Sequence, residues 1–143
     1  MVAYSFQRRF KDPIYRGVKR QTVRADRKRH ARPGEMLQLF TGMRTRQCAK
    51  IIDDQRCTAV LPVEIRFDPA SGIVNILTGG VPVRSLDDFA VRDGFTDIQD
   101  MSAFWNQQHD IQPGGVFCGV VIEWQFCVAS PVMPDLDKLG AFA

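Results

Sequence analysis

Apolar and polar positions alternate along much of the chain, with the period of two that a half-buried strand requires. Tyr4 to Phe6 predicts a short strand, and residues 18–25, with Val18, Thr22 and Val23, an extended segment. Met36 to Phe40 alternates again. Gln47 to Ile52 and Thr58 to Phe67 predict a hairpin around Asp53-Asp54, and Ile73 to Leu77 a further strand. The most apolar stretch, Val116 to Val128, predicts the last strand. Between these runs lie residues that turn chains: Pro33-Gly34, Gly42, Asp68-Pro69-Ala70-Ser71-Gly72, Gly79-Gly80 and Pro113-Gly114-Gly115.

The period lengthens in three places. Asp12-Pro13 predicts a one-turn helix that Asp12 caps and Gly17 ends, because glycine accepts the left-handed conformation that closes helices. Ser85 caps a second over Leu86 to Val91, with Asp88 three residues on. After the turn Asp93-Gly94-Phe95, Thr96 with Gln99 makes a capping box for a helix to about Gln108. Its positions Ile98, Met101, Phe104 and Trp105 share one face and are expected in the core. Strands before and after the helices predict an α+β fold: a small curled β-barrel of about six strands with short helices packed outside. One domain over 1–128 is expected, followed by a loosely held tail over 129–143.

Composition changes this picture little. The chain of 143 residues is 45% hydrophobic, enough for one core. No apolar run approaches the roughly 20 residues of a membrane span. The start, Met-Val-Ala-Tyr-Ser-Phe-Gln-Arg-Arg-Phe, sets arginines where a signal peptide is apolar, so a cytoplasmic location is expected.

Charge changes it more. Residues 1–32 hold eleven Lys or Arg against two acids, Asp12 and Asp26, whereas the rest of the chain is acidic. Such a basic quarter suits a polyanionic or phosphorylated partner, with Arg20, Arg27, Lys28, Arg29 and Arg32 as anion contacts. The loop Arg27 to Arg32 would bind phosphates in a salt-dependent way without reading sequence. Phe10, Tyr15 and Phe40 lie near enough in the chain to stack on bases, although burial is the commoner fate of such rings.

Familiar catalytic signatures are absent: no glycine-rich phosphate loop, no Gly-x-Ser-x-Gly and no His-Glu-x-x-His. His30 and His109 have no triad-like neighbours, and structural or solvated roles are expected. Cys48 and Cys57, like Cys118 and Cys127, are separated by eight residues, which is poor zinc spacing. Reduced cysteines inside strands are expected, and neither a metal nor a cofactor.

One segment stands out. In Gly17-Val18-Lys19-Arg20-Gln21-Thr22-Val23-Arg24, Lys19, Gln21 and Val23 would face one way and Arg20, Thr22 and Arg24 the other, unless a bend after Gly17 brings Lys19 to Thr22. The order Phe10, Ile14, Gly17, Lys19, Thr22, Arg24, followed by Pro33-Gly34-Glu35-Met36, resembles an ASCH domain. So do Asp88 to Phe95, the following helix with Phe104-Trp105, and the strand Val116 to Phe126. The resemblance spans most of residues 5–127. It implies a PUA-like barrel with a cleft beside the Gly-x-Lys segment, and RNA or a modified nucleoside or nucleotide as partner.

A bacterial branch of small ASCH proteins hydrolyses N(4)-acetylcytidine with a Lys, a Thr and a Glu. The resemblance carries Lys19 and Thr22 into that set as catalytic residues, with Arg24 as an accompanying substrate-binding residue. Asp93 stands at the acid's position, one methylene shorter than Glu. The stretch Asp53 to Gly80 is longer than in the smallest relatives. Deacylation needs a nucleophile or activated water, a base and a partner for the oxyanion. Thr22 offers a hydroxyl, a desolvated Lys19 a base, Asp93 a group to orient Lys19 or shuttle its proton, and Arg24 a planar fork for an anion. A non-catalytic RNA-binding module built on the same cleft is the alternative.

Overall fold

The computed structural model describes residues 1–108 and 115–127. Its elements are eight strands, three α-helices and a 3-10 turn at Arg8–Phe10. The expected tail over 129–143, Val128, His109 and the Pro113-Gly114 part of a turn lie outside the described residues.

β1 (Val2–Phe6) buries Val2, Tyr4 and Phe6 and pairs in parallel with β3 (Met36–Thr41), from Val2↔Leu37 to Phe6↔Thr41. The spine of the sheet is β5 (Gln55–Asp68), whose fourteen residues serve two neighbourhoods. Its start pairs with β3 at Met36↔Arg56, and its second half with β6 (Gly72–Thr78). Along its other edge runs β8 (Val116–Gln125), from Arg56↔Gln125 to Arg66↔Val116. A bulge between Cys57 and Ala59 marks the change of neighbour; an extra residue there bends and twists the strand. β2 (Gln21–Arg24) adds to the far side of β8, β4 (Ala49–Lys50) to β3, and β7 (Val81–Pro82) to β6.

The result is an α+β fold with one eight-stranded sheet rather than six strands. Among the described ladders none joins β1 to β2, so the sheet has an open seam there. The Arg24 guanidinium crosses the seam, donating from Nη2 to the Ser5 carbonyl at 2.7 Å.

Three local expectations are corrected. Strand β4 pairs with β3, and β5 with β3, β6 and β8, so no hairpin forms around Asp53-Asp54. Ile51 instead donates its N–H to Leu39 and buries its side chain. Asp12 does not cap α1 (Lys11–Tyr15): it lies inside the first turn and pairs with Arg16 four residues on, at 3.1 Å. For α3 (Ile98–Gln108) the capping oxygen belongs to Asp97, which accepts from the Asp100 N–H at 2.8 Å; Thr96 donates its own N–H to Asp100. Ser85 does cap α2 (Leu86–Arg92), its hydroxyl accepting from Asp88 N–H at 3.1 Å. Of the cysteines, Cys57 is buried in β5 and Cys118 exposed in β8, while Cys48 is exposed in a loop outside any strand.

In the core Leu37, Leu39, Ile65, Ile76, Val121 and Ile122 are fully buried. Helix α2 contributes Phe89 and Ala90 and α3 Met101 and Trp105, so helical period and strand period feed one cluster. Ser102 pins α3 to the sheet by accepting the Ile73 N–H at 3.0 Å. No helix among the described residues is long and apolar enough to cross a membrane.

Candidate functional site in the seam between β1 and β2

Lys19 enters the interior because the chain before it cannot run straight. Helix α1 ends at Gly17, whose φ of 78° is left-handed; a Cβ there would stand 2.7 Å from the Phe126 ring. The N–H groups of Val18 and Lys19 then both bond the Pro13 carbonyl, at 2.9 and 3.0 Å. Arg20 bridges two elements through its backbone, donating to Arg92 and accepting from Trp124, both at 2.9 Å. This ties the segment to the end of α2, where Asp93 begins the turn towards α3.

Lys19 and Asp93, far apart in sequence, are 2% and 5% exposed and meet. The Lys19 ammonium donates to the Asp93 main-chain carbonyl. Its Nζ lies 3.7 Å from the Asp93 carboxylate, which also accepts from Gln21 Nε2 at 3.5 Å. Nζ stands 4.7 Å from the centre of the Phe10 ring and 5.5 Å from that of Phe6. Gly94, with φ 97°, lets the turn pass: a Cβ there would fall 2.7 Å from Lys19 Cδ and 2.8 Å from Phe10.

Burial sets the electrostatics. Desolvation pulls the Lys19 ammonium down from 10.5 to about 8; Asp93 opposes this, while Arg24 and Arg9 reinforce it. Desolvation likewise raises the Asp93 carboxyl from 3.8 to about 6, against the pull of Lys19, Gln21 and Arg24. Each group has moved towards neutrality, which is how sites make a lysine available as a base near neutral pH.

Thr22 and Arg24 extend the polar lining, to which Ser5, Gln7 and Gln108 also belong. Thr22 is 5% exposed, and its hydroxyl oxygen accepts from Arg24 Nε at 3.1 Å. The Arg24 guanidinium lies 4.9 Å from the Phe6 ring centre and 5.4 Å from that of Tyr4. With Lys19 and Asp93 these residues line a cavity of about 320 Å³. Six aromatic rings form much of the rest of the wall: Phe6, Phe10, Phe95, Phe104, Trp105 and Phe117. That combination takes a flat, largely apolar ring with polar edges.

Four of the sequence-derived site residues thus share one cavity. The others do not line it. Arg20 donates to the Gly17 carbonyl at 2.6 Å, and Arg27 lies 4.9 Å over the Tyr4 ring. Arg29 makes two bonds to Glu35, at 3.2 and 2.7 Å. Lys28 and Arg32 are exposed. Glu35 also accepts from the Arg32 N–H at 2.8 Å, and Arg29 holds its carboxyl down at about 2. Phe10 is a cavity wall, whereas Tyr15 is 63% exposed elsewhere and Phe40 is half-buried. His30 sits between Tyr4 Oη at 3.0 Å and the Ala25 carbonyl at 2.8 Å, bracing the basic loop.

Sequence reasoning missed Gln21 as the second partner of Asp93, and most of the aromatic wall. Phe104 and Trp105 do pack with the core, as their helical spacing predicts, yet both also face the cavity. Among the described residues no group of three or more His, Cys, Asp or Glu is placed to hold a metal ion. No family model, curated protein or solved structure matches the chain.

Proposed function

We propose that this chain is an ASCH-like domain of the PUA-like kind that binds RNA or a modified nucleoside, and that it hydrolyses the amide of N(4)-acylated cytidine. The observation that carries the reading is the burial of Lys19 against Asp93 in a cavity that Thr22 and Arg24 also line and that aromatic rings enclose. The rings take the pyrimidine face-on, leaving the acylated amine to the polar wall. Neutral Lys19 accepts a proton from water or from the Thr22 hydroxyl as that oxygen attacks the acyl carbon. Arg24 faces the oxygen that gains charge. The C–N bond breaks, and the proton held by Lys19 passes to the departing amine, giving cytidine and a carboxylate. Asp93 positions Lys19 throughout. Where Thr22 attacks first, water then releases the acyl group.

Incubation with N(4)-acetylcytidine, with chromatography of released cytidine, tests this. Turnover by the wild type and its loss by a factor of at least ~10² in Lys19→Met is expected, the scale of a missing general base. No turnover, or an active Lys19→Met, would overturn it. One observation favours a purely binding role: the Lys19 ammonium already donates to a main-chain carbonyl, which holds it in its charged form. Tight binding of the nucleoside or of RNA without turnover would be the signature of that role.

A further inference from the structure

A second cavity, of about 420 Å³, shares Ser5, Phe6 and Gln7 with the aromatic one. The end of β1 therefore borders both cavities, the first rich in rings and the second lined mostly by polar side chains. The polar side adds Arg8, Thr41 and Gln47. None of these is an acid, and Arg8, which is exposed, finds no ion-pair or side-chain hydrogen-bond partner among the described residues.

Thr41 and Gln47 flank a loop with a fixed shape. The Thr45 N–H and hydroxyl both bond the Gly42 carbonyl, at 3.0 and 2.6 Å, and Gln47 N–H bonds the Thr45 hydroxyl at 3.1 Å. Gly42 has φ 67°, and a Cβ on it would lie 2.9 Å from the Gln47 carbonyl. The loop forces Arg44 to a left-handed φ of 67°, a cost that a non-glycine residue bears only where its surroundings demand it. Arg44 and Arg46 are exposed, and residues 41–48 include no acid. Arg8, unpaired among the described residues, stands in the lining with the Thr41 hydroxyl and the Gln47 amide, Arg44 and Arg46 lie on the same loop, and no carboxylate lines the cavity; such a set has the chemistry that holds a phosphate.

We propose that this polar chamber is a phosphate subsite, so that the aromatic cavity takes a nucleotide, free or within a strand, more tightly than the bare nucleoside. The inference rests on the aromatic cavity holding a base. Ser5, Phe6 and Gln7 line both cavities, so a base in one and a phosphate in the other are neighbours across a single stretch of chain. Arg8 takes the phosphate from the β1 side, and Arg44 and Arg46 from the loop.

Calorimetric titration with cytidine, its 3′- and 5′-monophosphates and a short single-stranded RNA containing cytidine tests the inference. At least about tenfold tighter binding of a phosphorylated form is expected, as several charge-assisted bonds allow. The triple variant Arg8→Ala, Arg44→Ala, Arg46→Ala should erase that gain and leave cytidine affinity unchanged. A gain already complete with a monophosphate identifies a free nucleotide as sufficient; a gain seen only with the strand identifies a phosphodiester. Equal affinities, or a gain that survives in the triple variant, would overturn the subsite. The base-site reading fails separately: a phosphate gain lost in the triple variant but indifferent to Phe104→Ala keeps the subsite and removes the base from the aromatic cavity.

Discussion

Lys19 bears an electrostatic cost that its pH dependence should expose. Its folded-state pKa, about 8, lies below its ordinary 10.5, so between those values the unfolded chain binds more protons than the native one. Stability should therefore rise with pH from about 8 to 10.5. For Asp93 the sign reverses: raised from 3.8 to about 6, it gives stability at acid pH that is lost as pH rises through 6. Between about 6 and 8 both groups are charged and both costs stand. Urea midpoints for the wild type and Lys19→Met should differ most in that window and converge towards pH 10. A wild-type curve flat from 8 to 10 would contradict the depressed ammonium. Replacing Asp93 with Asn removes the anion that holds Lys19 charged, so the Lys19 pKa should fall below about 8, seen directly by NMR titration of the side-chain amine. The stability loss should be smaller than the ~3–5 kcal/mol of a typical broken buried pair, because Lys19 can shed its proton. If Lys19 is the base, the rising limb of kcat/KM against pH should move to lower pH in the same variant.

At the scale of elements, the turn between α2 and α3 matters most, because it delivers Asp93 to Lys19. Gly94→Ala should cost about 1–3 kcal/mol from its left-handed φ, and more from contact with Lys19 and Phe10. Gly34 supplies the control: its φ is 92°, but a Cβ there meets nothing within 4 Å. Gly34→Ala should lose only the conformational part, by thermal melting, and leave ligand binding intact, whereas Gly94→Ala should weaken both. Equal losses would mean that the turn does not press on the site. The helices were legible in the sequence because their signals are local. Ser85 and the face of Met101 and Trp105 fall where period and capping place them. Two neighbouring three-residue spacings competed at α3, Thr96 to Gln99 and Asp97 to Asp100, and the carboxylate is the better acceptor for an N-terminal N–H. Strand pairing was not legible in the same way. The segments around Ile51 and Val60 alternate, but alternation says only that a strand has a buried face. Which strand lies beside it depends on contacts far along the chain, here Val60↔Ile122 and Leu61↔Val121.

At the scale of the whole molecule, the site was half legible. Lys19, Thr22 and Arg24 stand within one segment, but alternation sets Lys19 on the face opposite the other two, so their grouping, like Asp93, came through resemblance, and the aromatic wall was hidden among core positions. The basic quarter was legible as charge but not as available charge. Of its eleven cations, Arg9 pairs with Asp100 and Arg16 with Asp12. Arg29 pairs with Glu35, and Lys19 and Arg24 turn inward. Lys28 and Arg32 remain exposed on the loop, as does Arg27, and Arg8, Lys11 and Arg20 are exposed elsewhere in this quarter. Six such charges set a ceiling from this quarter of roughly −4 for the slope of log Kobs against log salt with single-stranded RNA. The slope should therefore fall well short of what eleven neutralised phosphates would give. Anisotropy titrations across salt should show Lys28→Ala and Arg32→Ala each making the slope shallower by up to about 0.7. Arg29→Ala should change it less, because its guanidinium is already committed to Glu35 in a two-bond pair. A loss for Arg29→Ala as large as for Lys28→Ala would mean that RNA displaces Glu35, and that the carboxylate is a competitor the ligand must evict rather than a fixed brace of the loop.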